Sequence, residues 1–255
     1  MLTRSFCCFK GVSEAAERKL WLSGCLDWTM LAYAKQAVSG KRMSNMAGQL
    51  PELQAALTGG LPGYFLSRLP CGHRLRTWPN FARKTMFLDI ETDGMDRRAE
   101  ITVIGAWMNG EFLQFVKGRN LHEFPIVAGR AKLLITFNGI RFDWPMIERR
   151  FVAPWPIPHI DLMHEARTHG YTGGLKAIEK SVGIERAEDE AGDGLLAVTL
   201  WRRYETLADA ASLTRLLSYN RCDVTSLIFL AKRLLGLSLA NYPGPLTFPN
   251  CSLTS

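Results

Sequence analysis

The sequence predicts an α/β fold: a mixed central sheet of about five strands flanked by helices, with a small helical N-terminal extension. Three observations predict it. Residues 86–91, 101–107 and 112–116 are strand-like apolar runs, and Asn109-Gly110 between the last two is a strong hairpin signal. Residues 132–137 form a fourth run, apolar enough to be buried on both faces. From there helical and strand-like stretches alternate before a final series of helices, the order expected of a mixed sheet with covered faces.

The elements follow in order. Residues 1–12 read as a loose start. Ser13 suits a helix N-cap, with Glu14 and Glu17 in the first turn and Trp21, Cys25, Trp28 and Ala32 at helical spacing after it. Residues 35–42 are basic and read as a loop. A short helix is expected over 50–58, stopped by Gly59-Gly60. Residues 61–83, rich in Pro and aromatics, read as an irregular segment packed on the next domain. The three-strand meander and the fourth strand follow, then a helix over 142–150 and a short fifth strand over 157–160. Helices are expected over 174–182, 194–205 and 209–235, with Gly236 as a natural stop. The domain limits are therefore a basic, mainly helical extension over 1–80, an α/β domain over 81–236 and a flexible tail over 237–255.

Composition bounds the function. The chain has 255 residues, 47% hydrophobic and 22% charged, enough to bury a core and carry an extension. Its net charge of +7 is unevenly placed: residues 1–80 hold 10 Lys/Arg against 4 Asp/Glu, and the rest 21 against 20. A basic arm on a near-neutral domain suits a polyanion such as nucleic acid; a solvated, solubilising surface explains it equally well. The six Cys form no C-x-x-C pair and suggest neither a zinc site nor a disulfide framework. Cys71-Gly72-His73 lacks a second pair of ligands. Free thiols fit a reducing cytoplasm. No run of 18 apolar residues exists, so no membrane span is expected. The first residues lack the apolar core of a signal peptide.

Three acidic motifs carry the chemistry. In Phe87-Leu88-Asp89-Ile90-Glu91-Thr92, a strand period of two puts Asp89 and Glu91 on one face. Like charges about 4 Å apart repel by roughly 4 kcal/mol at an effective dielectric of about 20, so a compensating divalent cation is expected. The second motif, Asn138-Gly139-Ile140-Arg141-Phe142-Asp143, leaves the end of the fourth strand, where α/β sheets place ligand groups. Asp143 fits equally well as a first-turn acid, and Asn138 either holds a substrate strand or stabilises the turn. The third, Tyr219-Asn220-Arg221-Cys222-Asp223, puts Tyr219 and Asp223 on one helix face near Leu216, Val224, Leu227 and Ala231. Alone, this motif reads as a buried Tyr and a surface Asp. Asp93-Gly94 reads as a turn. His159 and Asp161 share a strand face, and a supporting bond or a helix cap suits them better than direct ligation.

Together, the order and spacing of these motifs resemble the DEDD superfamily of 3′–5′ exonucleases, from about Leu61 to Gly236. Tyr219 corresponds to the DEDDy branch; position 218, where the other branch carries His, is Ser218. Leu69-Pro70, Trp78-Pro79-Asn80-Phe81, Gly174-Leu175-Lys176-Ala177-Ile178-Glu179 and Leu200-Trp201-Arg202-Arg203-Tyr204 are similar to the bacterial predicted RNase H-like exonuclease domain family. The resemblance implies an RNase H-like fold. It implies Asp89, Glu91, Asp143 and Asp223 as ligands of two divalent cations, Mg²⁺ or Mn²⁺, with Asp89 bridging them. Tyr219 would orient the attacking water, since an ordinary phenol is a poor base at neutral pH. The products implied are nucleoside 5′-monophosphates released from 3′ ends of single-stranded DNA or RNA. Lys176 matches a basic position of the family and, with Asn138 and Thr92, is a candidate substrate contact; a solvated Lys explains it nearly as well. Two rivals stand: a structure-specific endonuclease on the same fold, and a non-catalytic nucleic-acid-binding protein using its basic arm.

Overall fold

The computed structural model describes residues 1–34, 38–96, 98–151, 156–184 and 194–246. The N-terminal part holds α1 (Glu14–Leu22), α2 (Gly40–Thr58), α3 (Pro62–Leu66) and α4 (Trp78–Phe81). The sheet then begins with β1 (Thr85–Thr92), β2 (Ile101–Met108) and β3 (Glu111–Val116). Next come α5 (Phe124–Ala128), β4 (Leu133–Thr136), α6 (Asp143–Phe151), β5 (His159–Asp161) and α7 (Leu162–Thr168). Helices α8 (Leu175–Ser181), α9 (Gly194–Leu207) and α10 (Ala210–Ser238) complete the described chain.

The five-stranded sheet has the order β3-β2-β1-β4-β5. β2 is antiparallel to β1 and β3, whereas β4 is parallel to β1 and β5 to β4. This is the mixed sheet flanked by helices that the sequence predicts. Asn109 and Gly110 both take left-handed φ values, 54° and 91°, at the β2–β3 turn, as a two-residue hairpin requires.

Alternation along β1 sorts its side chains between two buried layers. Met86, Leu88 and Ile90 join Phe124, Ala128, Met146 and Ile147 beneath α5 and α6. Phe87 points the other way, into a cluster with Trp107, Val224, Leu227 and Leu234, which includes α10. Asp89 and Glu91 have Phe87's parity, so the strand delivers both carboxylates beneath α10.

Several expectations are corrected. Residues 1–12 are not loose: Leu2, Phe6 and Cys8 are fully buried. This irregular segment has no period to read, and distant side chains satisfy its backbone. Glu17 accepts the Phe6 and Cys7 N–H groups at 2.6 and 3.0 Å, and the Trp21 and Trp28 indoles donate to the Arg4 and Ser5 carbonyls. Helix α2 begins at Gly40 rather than 50, with Ser39 as its cap, and tolerates Pro51 inside it; residues 35–37 of the expected basic loop lie outside the described ones. The stretch over 61–83 contains short helices. α5 and α7, at five and seven residues, are too short for a periodic signal. Gly236 does not stop α10, which reaches Ser238, where Arg76 takes the Ser238 carbonyl. Tyr242 packs edge-on against Trp21 beyond it, so the expected flexible tail is ordered through its first residues; residues 247–255 lie outside the described ones.

The N-terminal helices share one buried cluster with the sheet and the C-terminal half of α10: Trp28, Leu53 and Phe65 join Phe87, Leu133 and Leu235. Its polar centre is a buried ion pair, Arg76–Glu17 at 2.7 Å.

Candidate metal centre

Two elements, β1 and α10, converge on one point, and a third, α6, meets β1 beside it at Ile90. β1 supplies Asp89 and Glu91, α6 begins with Asp143, and α10 supplies Tyr219 and Asp223 one turn apart. A ligand oxygen from each of Asp89, Glu91 and Asp223 lies within 4.8 Å of the others. Glu91 and Asp223 are only 6% and 8% exposed. Glu91 Oε1 is buried with no hydrogen-bond partner, a costly arrangement for a carboxylate oxygen. Burial first, and then the charge of Asp223, push the Glu91 carboxyl well above its usual range; Asp143 adds to this, and Asn220 and Lys176 oppose it. An unpartnered carboxylate oxygen among two further carboxylates is the donor set of a hard divalent cation. Asp89, Glu91 and Asp223 therefore fit a divalent cation by the chemistry of their donor atoms.

Asp143 falls outside that tight group of three. It lies at the first turn of α6 and is buried, and its Oδ1 accepts the Ile90 N–H at 3.2 Å. Its charge acts on Glu91 and helps to raise that carboxyl. Burial pushes its carboxyl up to about 7, against N–H bonds from its own backbone and Ile90 and with repulsion from Asp161. A carboxyl raised in the folded state is still protonated where the unfolded chain is already ionised. Stability is then present at low pH and is lost as pH rises from about 4 towards 7. We expect the metal-free protein in EDTA to melt several degrees lower at pH 8 than at pH 5, with a smaller fall for Asp143→Asn. Equal falls for the two proteins would contradict this.

The surrounding loops explain themselves locally. Asn138 takes a left-handed φ of 59°. At Gly139 a Cβ would come within 2.2 Å of Thr136 Oγ1, so the Asn-Gly pair meets a backbone requirement. Asp161 pins this loop, accepting the Asn138 and Ile140 N–H groups at 2.8 and 3.3 Å, and also caps α7 through the Met163 N–H. His159 Nε2 meets Thr136 Oγ1 at 2.7 Å. Asp161 thus supports the loop and caps a helix, whereas His159 braces the end of β4. Asp93 pairs with Lys117 and accepts the Glu100 N–H, which is a turn role. Thr92 stands next to Glu91 at a break in the β1–β2 register, and its hydroxyl donates to the Gly94 carbonyl at 2.7 Å. Lys176 Nζ lies 3.3 Å from Tyr219 Oη and 5.0 Å from the ring centre, and its charge acts on the Glu91 carboxyl.

Sequence reasoning missed Asn220. It is fully buried between Tyr219 and Asp223 on α10, and its amide donates to the Asp89 carbonyl and to Asp89 Oδ2, both at 3.3 Å. One signal was available: the isolated Gly105 inside the apolar β2 run, a mark of close approach by another group.

The chain belongs to the RNase H superfamily, whose family model matches residues 86–235. It is similar to "Uncharacterized protein YprB" of Bacillus subtilis (strain 168), at 35% identity over 109 residues. The match covers 38% of this chain and 26% of the relative, so the chain spans about a quarter of the length of the curated protein that it matches. Among the described residues no helix is long and apolar enough to cross a membrane.

Proposed function

We propose that this protein is a metal-dependent 3′–5′ exonuclease of the DEDDy type, acting on single-stranded nucleic acid ends. The observation that carries this reading is the cluster of Asp89, Glu91 and Asp223 around a buried, partnerless Glu91 oxygen, beside Tyr219 and Lys176. Asp143 completes the carboxylate set. Two Mg²⁺ or Mn²⁺ ions bound there would supply charge stabilisation at the attacking and leaving oxygens of the phosphate. The chain's own residues do the rest. The Tyr219 hydroxyl, with the Lys176 ammonium 3.3 Å away, orients the attacking water by hydrogen bonding. Lys176 offsets carboxylate charge and meets the phosphate of the incoming strand. Asn138 and Thr92 flank the site as contacts to the terminal nucleotides. Free cysteines, five among the described residues, suit work in a reducing cytoplasm.

The test of polarity uses 5′-labelled single-stranded DNA and RNA of equal sequence in Mn²⁺, together with a circular single strand. A ladder shortening from the 3′ end, with the circle intact, is the expected result. Cleavage of the circle would replace this reading with the endonuclease, which needs no free end. Salt-sensitive binding without any cleavage would favour a binding protein.

A further inference from the structure

The strand register places three residues in one row across the sheet. Asp89 of β1 stands opposite Gly105 of β2, and Gly105 stands opposite Gln114 of β3. Residues paired in this way point to the same face. The middle position of the row has no side chain, and Asn220 of α10 descends into that space. A Cβ at Gly105 would lie 2.1 Å from Asn220 Oδ1 and 2.9 Å from its Cγ, so no other residue is accommodated there without moving Asn220.

Once seated, Asn220 is gripped from one side and grips the other. Gln114 Nε2 donates to Asn220 Oδ1 at 3.3 Å and to the Leu217 carbonyl of the same helix at 2.7 Å. That orients the amide, leaving its Nδ2 facing β1. There it donates to Asp89 Oδ2 and to the Asp89 carbonyl, both at 3.3 Å. Fully buried amides keep their bonds because an unmet donor in the interior costs roughly 1–3 kcal/mol.

We infer that Asn220 is a positioning residue for the metal centre: seated over Gly105 and oriented by Gln114, it holds the Asp89 carboxylate at the place where a divalent cation is to be bound. This rests on the metal-binding reading above and deepens it. Without Asn220, Asp89 loses two of the bonds that hold it in place, and repulsion from Glu91 and Asp223 disfavours the ligating arrangement. The cation must then gather its ligands as it binds. Partners of this kind, one shell out from the ligands, typically change metal affinity by about 10- to 100-fold when removed.

The experiment is Mn²⁺ binding by calorimetry on the full chain without nucleic acid, with melting in EDTA as a check on folding. Asn220→Leu, of similar size but without the amide, is expected to weaken Mn²⁺ binding about tenfold or more. Gln114→Met, at a half-buried position, is expected to weaken it less, in the same direction. A merely structural role would lower the melting temperature and leave the dissociation constant unchanged; that outcome overturns the inference. Should Asn220→Leu not fold, Gln114→Met decides alone, and binding equal to wild type overturns the inference. Failure of the wild type to bind Mn²⁺ would overturn this inference and the metal reading together. Equal binding by wild type and variants would overturn this inference only.

Discussion

Asp223→Asn is expected to lower the rate of phosphodiester hydrolysis by at least about a thousandfold, while leaving the metal-free protein as stable as wild type or more so. The rate loss follows from the loss of metal-supplied charge stabilisation at the phosphate, several kcal/mol, at about 1.4 kcal/mol per factor of ten. The stability result follows from the electrostatics of the empty cluster. Asp223 is second only to burial in raising the Glu91 carboxyl, so its charge is a cost to the folded state until a cation offsets it. An uncharged amide removes the cost. In EDTA the variant should melt at or above the wild-type temperature. In Mn²⁺ the order should reverse, because a ligand that binds only the folded state stabilises it by about 2.7 kcal/mol at a hundredfold over its dissociation constant. Asp89→Ala and Glu91→Ala should behave alike in losing turnover. Retained activity, or strong destabilisation of Asp223→Asn in EDTA, would count against the cluster as a metal site.

The largest stability effect should come from the opposite end of the molecule. Glu17 is 1% exposed and holds three groups: the Phe6 N–H, the Cys7 N–H and Arg76 Nη1 at 2.7 Å, the last of which also bonds Ser5 Oγ at 2.9 Å. Arg76 in turn reaches the Ser238 hydroxyl and carbonyl at the end of α10. The pair therefore ties the first residues, α1, the segment before α4 and the last turn of α10 into one node. Glu17→Ala leaves a buried guanidinium without its counter-charge and two buried amides without an acceptor. Breaking a buried pair in this way costs about 3–5 kcal/mol, or roughly 10 °C in a chain of this size. Replacing both partners, Glu17→Met with Arg76→Met, should recover part of that loss, since no charge remains buried. Recovery should stay incomplete because the Phe6 and Cys7 amides still lack an acceptor. Denaturant melts of the three proteins check it; a Glu17→Ala within about 1 kcal/mol of wild type would show that the node is open to water.

The site was legible in the sequence where chemistry and periodicity coincide. Asp89 and Glu91 share a face because strands repeat every two residues, and Tyr219 and Asp223 because helices bring i and i+4 together. Two carboxylates on one buried face have few explanations besides a cation. What escaped notice depends on contacts far apart in the chain. Asn220 and Asp89 are 131 positions apart, Gln114 and Asn220 106. Within its own helix Asn220 carries no signal of its own, and only the β1–β2–β3 register reveals the gap that it fills. Residues 1–12 escaped for a related reason: their order comes from Glu17 and two indoles, not from any repeat of their own. Gly236 carried a stop signal that tertiary bonds at Ser238 override.

The central claim is that the Asp89, Glu91, Asp143 and Asp223 carboxylates form a working nuclease centre. The most direct measurement is release of nucleotides from linear single-stranded DNA and RNA by wild type and Asp89→Ala, side by side in Mn²⁺ and in EDTA. The account predicts 5′-mononucleotides from the wild type in Mn²⁺ and none from Asp89→Ala or in EDTA. Equal release by wild type and Asp89→Ala, or none from either, would contradict it.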